Sequence, residues 1–219
     1  MGVWSTALMA EAGDTQIAIT NGGGLRRGFD KGEITVGLMY ELLPFDNTIV
    51  TLKLKGSDLK RVIEHGILAA DFRPGQFYGL KVYFDPAKEA GNRINGMTLL
   101  DGTPIKMDEY YTVATNDFIY GAGDKYDFTG AIEVTDTGIP IRDKLVEMLQ
   151  AMNATELTAF EKLAAPPEAY MIEGQMPQDG KLPQTGKVVD FNFLVILGLS
   201  LAAAGTGLVV FKKKEKKTA

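Results

Sequence analysis

The sequence predicts a mixed α+β domain, followed by an irregular linker and one C-terminal transmembrane helix. Short segments that alternate apolar and polar residues are typical of half-buried strands. Between them lie segments whose apolar residues recur at helical spacing. A run of 21 uncharged residues, 191–211, stands near the C-terminus and is long enough to cross a bilayer as a helix.

The first elements follow from local patterns. Residues 16–20, QIAIT, alternate and run into four turn-forming residues, 21–24, which predicts a strand that enters a tight turn. Residues 48–56, TIVTLKLKG, predict a second strand. Ser57 is a good N-cap for a helix over 58–70, where apolar residues fall on one face.

Further strands and a closing helix complete the predicted domain. Residues 80–86 read as a strand, 93–105 as two strands joined by a hairpin turn at Asp101-Gly102, and 110–120 as a last strand. Residues 141–152 predict a helix.

The linker is defined by its composition. Residues from about 164 to 181 are rich in Pro, Gly, Gln and acids and predict a flexible spacer. The domain therefore spans 1–163, the spacer 164–181 and the C-terminal segment 182–219.

Charge is distributed unevenly along the chain. Six of the 23 basic residues and two of the 28 acidic residues follow Gly186. The part before Lys187 therefore carries 17 basic and 26 acidic residues, a net charge of −9. A polymeric nucleic acid needs a basic surface, so this balance argues against such a partner. A small anionic ligand remains compatible, because a few local donors can hold it.

The C-terminus carries an anchor pattern. The pentapeptide LPQTG at 182–186 precedes the apolar run, which is followed at once by KKKEKK. The combination resembles the LPxTG sorting signal read by sortase. The resemblance implies cleavage between Thr185 and Gly186, attachment of Thr185 to peptidoglycan, and a location in the cell wall of a Gram-positive bacterium. A plain membrane anchor is the alternative.

The N-terminus offers no matching export signal. Residues 1–20 have neither a basic segment nor an apolar core of the signal-peptide kind. We therefore expect the chain to be the C-terminal part of a longer protein.

Residues suited to catalysis or metal binding are scarce. The chain has no cysteine and one histidine, His65, inside the helix predicted over 58–70. It contains no His cluster, no carboxylate run with ligand spacing and no defensible Ser/His/Asp set. The sequence therefore predicts neither a catalytic residue nor a metal ligand in this chain, and His65 is expected at the helix surface or the edge of the core.

Four segments form a set: NGGGLR at 21–26, PFDNT at 44–48, YGL at 78–80 and NDFIYGAGD at 116–124. In order and spacing they resemble the C-terminal, substrate-binding domain of the 5′-nucleotidase family. The resemblance covers about residues 10–128 and implies a mixed-sheet domain with an α/β/β/α arrangement.

The resemblance also implies a substrate-binding site. Phe45 and Phe118 match two rings that clamp a nucleobase, and stacking suits a flat π-system. Asn47 matches a contact to the base edge, and Gly79 a position where small size lets the ligand approach. From the pattern alone, both phenylalanines could instead pack in a core.

Three polar positions complete the implied site. Asp124 matches an acid that accepts hydrogen bonds from ribose hydroxyls, its alternative being an aspartate that stabilises the turn. Arg26 matches an arginine that binds phosphate, where a guanidinium can bond in a bidentate manner; its alternative is a surface salt bridge. Asn21 matches a polar contact near the scissile group.

The chain departs from the family pattern at two places. The family has a further arginine on a helix before the NGGG turn, and none occurs in residues 1–20 here. The family shows Gly-Gly-Asp where this chain has Ala122-Gly123-Asp124. These departures leave the preferred substrate open.

The function implied by the resemblance needs a second domain. In this family an N-terminal metallophosphoesterase domain holds two divalent metal ions, and this chain would supply only the nucleotide-binding half. The expected parent is a wall-anchored 5′-nucleotidase acting on extracellular nucleotides. The alternatives are a 2′,3′-cyclic-nucleotide phosphodiesterase/3′-nucleotidase and a stand-alone nucleoside-binding module.

Overall fold

The computed structural model describes residues 1–28, 30, 32–67, 74–162 and 170–177. Within them it contains six α-helices: α1 Gly2–Gly13, α2 Val36–Leu42, α3 Gly56–Gly66, α4 Asp117–Tyr120, α5 Ile141–Ala151 and α6 Ala154–Lys162. It contains eight strands: β1 Ile17–Thr20, β2 Thr48–Lys55, β3 Gln76–Tyr78, β4 Leu80–Phe84, β5 Ile94–Leu99, β6 Tyr110–Asn116, β7 Ile132–Pro140 and β8 Met171–Glu173.

The strands form two mixed sheets. The five-stranded sheet has the order β3-β1-β6-β2-β7, in which β1 and β6 are parallel and the other neighbours antiparallel. The three-stranded sheet has the order β5-β4-β8. The predicted class, a mixed α and β fold, is confirmed.

Two apolar cores cover the faces of the larger sheet. One core contains α3, β4 and β5 side chains against the inward side chains of β1, β2 and β6. The other contains α1, α2 and α5 side chains against the small residues Ala18 and Ala114. Helix α1 lies against β3, β1 and β6 and also contacts α5, so its residues from Val3 to Ala10 are buried.

Helix α3 begins two residues earlier than predicted, at Gly56 instead of residue 58. Lys55 is the N-cap position and makes no capping hydrogen bond through its side chain. The amides of Gly56 and Ser57 instead donate to the carbonyls of Glu109 and Met107, at 2.9 and 3.0 Å. The prediction of Ser57 as the N-cap was therefore wrong, because backbone carbonyls of residues 107 and 109 accept hydrogen bonds from the first amides of the helix.

Two strand predictions were too long. Strand β6 ends at Asn116, whose side chain accepts from the Ile119 amide at 2.8 Å and starts α4. The turn at Asp101-Gly102 is present, but its second arm is reduced to one bridge, between Thr98 and Pro104.

The predicted spacer contains structure that composition did not indicate. Strand β8 pairs in parallel with β4, and Tyr170 before it is buried. The prediction of an irregular spacer was therefore wrong for residues 170–173. The buried side chain of Tyr170 and the short edge strand β8 attach these residues to the smaller sheet. Residues 164–169 and 178–181 lie outside the described residues.

Among the described residues, no helix combines the length and the apolar character needed to cross a membrane. The predicted span at 191–211 and the LPQTG motif lie outside them.

Candidate functional site

Strand directions bring the predicted site segments to one edge of the five-stranded sheet. Strands β1 and β6 are parallel, so their C-terminal ends lie together. Strand β2 is antiparallel to β6, with Ile49 opposite Asn116, so its first residue lies at the same edge. We call this the site edge; it consists of residues 21–26, 44–48 and 116–124.

One carboxylate joins the two phenylalanine loops. Asp117 Oδ1 accepts from Asn47 Nδ2 at 2.8 Å, from the Thr48 amide at 3.1 Å and from the Phe118 amide at 2.9 Å. The loop before β2 and the turn after β6 are therefore held in a fixed relation. Sequence reasoning did not single out Asp117, although it stands inside the NDFIY segment.

Both phenylalanine rings face solvent. Phe45 is 50% exposed and Phe118 is 46% exposed, so the alternative of two core phenylalanines does not hold. Phe118 lies against Gly123, where a Cβ atom would come within 2.6 Å of the ring. The guanidinium carbon of Arg26 lies 6.0 Å from the centroid of the Phe45 ring. Exposed rings of this size are available for an aromatic ligand.

A buried carboxamide network orients Asn21 and Asp124. Asn116 Nδ2 donates to Thr20 Oγ1 at 2.8 Å and to Asn21 Oδ1 at 3.2 Å. Asn21 Nδ2 then donates to Asp124 Oδ2 at 2.7 Å. Asn21 and Asn116 are both buried, at 5% and 3% exposure. The network gives Asp124 a fixed direction, and Asn116 was not predicted as part of it.

The Asp124 loop has an unusual backbone. Ala122, Asp124 and Lys125 have φ values of 69, 50 and 61°. These values lie in the left-handed region, which is unfavourable for residues other than glycine. His65 Nε2 donates to the Asp124 carbonyl at 2.8 Å, and its ring meets Tyr126 edge-on at 4.7 Å. Asp124 thus lies in a tight turn and also presents its carboxylate at the site edge.

The surroundings of the loop affect Tyr126. Burial and the nearby Asp124 carboxylate raise the pKa of Tyr126 above its ordinary value. Its hydroxyl therefore stays protonated at pH values at which an exposed tyrosine would ionise.

Arg26 is exposed at the end of the glycine turn. Its Nη1 donates to the Gly23 carbonyl at 3.3 Å, and its amide donates to the Leu42 carbonyl at 2.9 Å. The surface ion pair in this segment belongs to Arg27, which contacts Glu41. Arg26 therefore points along the turn beside Phe45, where its remaining donors can reach a ligand.

Gly79 does not join the site. Strand β3 runs antiparallel to β1, with Thr20 opposite Gln76 and Ala18 opposite Tyr78. The end of β3 that follows Tyr78 therefore lies at the opposite edge, where a Cβ on Gly79 would stand 2.1 Å from the Gln16 carbonyl oxygen. This glycine is required by close backbone packing, and the predicted ligand contact is corrected. Gly75, before β3, is the glycine on the side of the site edge.

Metal binding finds no support in the described part of the chain. No group of three or more His, Cys, Asp or Glu side chains is arranged there to hold a metal ion. The side chains of the site edge are suited to binding a ligand by stacking and hydrogen bonding.

Comparison with known proteins gives two family matches. The family described as 5′-nucleotidase, C-terminal domain, matches residues 1–131. The LPXTG cell wall anchor motif matches residues 177–217. The anchor assigns the protein to the cell wall of a Gram-positive bacterium and implies attachment to peptidoglycan by sortase.

Individual relatives agree with these matches. The trifunctional nucleotide phosphoesterase YfkN of Bacillus subtilis is 35% identical over 65% of this chain and 10% of its own length. The cell wall protein Lmo0130 of Listeria monocytogenes is 31% identical over 52% of this chain and 15% of its own. The 5′-nucleotidase precursor of Thermus thermophilus superposes with a TM-score of 0.66 and 29% identity over 80% of this chain and 35% of its own. This chain thus spans a minor part of each relative.

Proposed function

Because this chain belongs to the 5′-nucleotidase C-terminal domain family, we propose that it is the nucleotide-binding half of a cell-wall-anchored 5′-nucleotidase. The complete enzyme would hydrolyse extracellular nucleoside 5′-phosphates to nucleoside and phosphate. The observation that carries the proposal is the Asp117 carboxylate, which links the loops of two half-exposed phenylalanines beside Asp124 and Arg26.

Binding of the base rests on Phe45 and Phe118. A purine or pyrimidine between the two rings would replace water on both of its faces, with roughly 1–3 kcal/mol per stacking contact. The Asn47 side chain lies between these rings in sequence and is held by Asp117. Its carboxamide would supply the hydrogen bond to the base edge.

Binding of ribose and phosphate rests on the polar side of the site edge. The Asp124 carboxylate, oriented by Asn21, would accept hydrogen bonds from vicinal hydroxyls of ribose. Arg26 would bind the phosphate end through charge-assisted hydrogen bonds. The exposed position of Arg26 leaves its guanidinium accessible to an anion despite the net acidic charge of the domain.

Hydrolysis is proposed only for the complete enzyme. Two divalent metal ions in a metallophosphoesterase domain would activate a water molecule for attack on phosphorus. The residues of this chain would hold the nucleoside and direct the phosphate towards that domain.

The binding role is tested by calorimetric titration of adenosine and AMP into the 219-residue chain in mild detergent. Phe118→Ala removes one stacking surface and is expected to weaken adenosine binding roughly tenfold to a hundredfold. Tyr110→Ala is the matched control, because Tyr110 is 44% exposed at the opposite edge of the sheet. Equal affinities of the wild type and Phe118→Ala would refute the stacking clamp, provided circular dichroism shows both folded.

The DNA sequence upstream of the Met1 codon distinguishes the enzyme hypothesis from that of a stand-alone binding module. A coding region for a metallophosphoesterase domain with His and Asp ligands is expected there. A signal-peptide coding region that is itself preceded by an in-frame stop codon would instead favour the stand-alone module.

The position of the scissile phosphate is tested on the complete enzyme. We expect phosphate release from 5′-AMP to exceed release from 3′-AMP and from 2′,3′-cyclic AMP. Faster turnover of the latter two would support the cyclic phosphodiesterase/3′-nucleotidase alternative.

A further inference from the structure

The first turn of α5 lies at the site edge. Strand β7 is antiparallel to β2, with Pro140 opposite Thr48, so β7 ends beside the loop that carries Phe45. Helix α5 follows directly, and the Ile141 amide donates to the Asn47 carbonyl at 2.8 Å. This helix lies beyond residues 1–131, the part that matches the family.

The Arg142 side chain is buried and directed at the same loop. Its Nη1 donates to the Leu43 carbonyl at 3.0 Å and to the Phe45 carbonyl at 3.5 Å. Its Nη2 donates to Asp46 Oδ1 at 2.6 Å. The guanidinium carbon lies 3.9 Å from the centroid of the Tyr40 ring. The Arg142 side chain is only 5% exposed, whereas that of Asp46 is 78% exposed.

These contacts fix the backbone around Phe45. A buried guanidinium is costly unless its donors are bonded. Releasing the loop would remove the acceptors of both terminal nitrogens and leave the Asp143 carboxylate, 3.4 Å from Nε, as the remaining charged partner among the described residues. The guanidinium is also planar, so donors on its two terminal nitrogens constrain the direction of the groups they bind. The loop 43–47 is thereby held at Leu43, Phe45 and Asp46 by Arg142 and at Asn47 by Ile141.

We propose that Arg142 is a positioning residue for nucleoside binding: it holds the Phe45 loop so that the Phe45 ring faces the base. The inference rests on the proposed function, and it extends the binding unit from the family-matched part of the chain into α5. Arg142 acts through Phe45 and does not itself touch the ligand.

The test uses the 219-residue chain in detergent and two measurements. Titration gives the adenosine dissociation constant, and hydrogen exchange followed by mass spectrometry gives the protection of residues 43–47 without ligand. Arg142→Met keeps an unbranched apolar stem and removes every donor. Arg142→Lys keeps the charge next to Asp46 but removes the planar arrangement of donors.

The control lies on the same helix. Leu149 is buried about two turns after Arg142, in the core formed with α1 and α2. Leu149→Ala therefore destabilises α5 without removing a hydrogen bond to the Phe45 loop. If Arg142 only stabilised the helix, both substitutions would act alike.

We expect Arg142→Met to weaken adenosine binding roughly tenfold and to increase exchange in residues 43–47, since small misplacement of a binding group lowers its contribution steeply. Arg142→Lys should lie between Arg142→Met and the wild type, and Leu149→Ala should keep the wild-type affinity. Unchanged affinity in Arg142→Met, or an equal loss in Leu149→Ala, would overturn the inference. If the wild type binds no nucleoside, the proposed function fails, and unchanged exchange in Arg142→Met then overturns the inference separately.

Discussion

The two edges of the five-stranded sheet are built in different ways. At the opposite edge, backbone packs on backbone: Cβ atoms on Gly56 and Gly79 would stand 2.2 and 2.1 Å from the carbonyl oxygens of Lys106 and Gln16. At the site edge, side chains join the loops, through Asn116 and Asp117. Backbone packing leaves no room for a ligand, whereas bonds between side chains hold loops while leaving rings exposed. Substitutions at the two edges should therefore separate stability from binding.

The largest effect is expected at Gly79. It has a φ of +87° and packs against the Gln16 carbonyl, so Gly79→Ala should lower the free energy of unfolding by about 3 kcal/mol. Urea denaturation measures this change. Gly102→Ala is the control, because Gly102 has a φ of +93° with no atom within 4 Å, and it should cost only about 1 kcal/mol. Similar losses in both variants would contradict the role of close packing.

Asn116 should show that the site edge depends on side-chain bonds. Asn116→Ala removes the donor to Thr20 and Asn21 and the cap of α4, and should lower the free energy of unfolding by about 2 kcal/mol. It should also weaken adenosine binding, since Asn21 orients Asp124. Thermal denaturation and titration measure the two effects.

The neighbouring residue supplies the contrast. Thr115 Oγ1 is buried and has no hydrogen-bond partner among the described residues. Thr115→Val should therefore leave stability unchanged or raise it. A loss as large as that of Asn116→Ala would show that burial at β6, rather than hydrogen bonding, governs this edge.

Ala122 should respond in the opposite direction. Its φ of 69° is unfavourable for alanine, so Ala122→Gly should raise the free energy of unfolding by about 0.5–1 kcal/mol. Ala90→Gly, at an exposed loop residue without positive φ, should lower it slightly. Chemical denaturation of both variants decides whether strain is stored in the Asp124 loop.

The smallest effect is expected on the pH dependence of stability. It arises at residues 127–129, which follow the Asp124 loop. Hydrogen bonds from Thr129 and the Arg61 guanidinium lower the pKa of Asp127 to about 2. A depressed carboxyl pKa stabilises the folded state above pH about 4, and this contribution is lost as the pH falls towards 2. Between these values, stability should fall less steeply in Asp127→Asn than in the wild type. Parallel slopes in urea titrations at several pH values would contradict this.

Much of the fold could be predicted from the sequence, because its main elements have strong local signals. The alternation in β2 and the helical spacing in α3 reflect burial on one face, and both elements were found. Strand β7 was missed because eight of its nine residues are exposed and its pattern has no buried face. Helix α1 was missed because its residues from Val3 to Ala10 are buried on every side, so the sequence has no exposed polar face to mark helical spacing.

The candidate site was predicted unevenly. Phe45, Asn47, Phe118, Asn21, Arg26 and Asp124 lie at one edge, as the ordered segments indicated. Gly79 was assigned a ligand contact, but β3 runs antiparallel to β1 and carries it to the far edge. The direction of a three-residue strand depends on its pairing and has no signal in the sequence.

The sequence by itself determined the family and the cell-wall anchor and predicted the residues of the site edge, because these are carried by short segments of fixed composition. Only the tertiary structure decided which of these residues meet and what holds them. Asp117 joins two loops, and Arg142 reaches the Phe45 loop across 96 or more positions of the chain. Such contacts depend on strand order and direction, which arise when the apolar faces of distant segments are buried together.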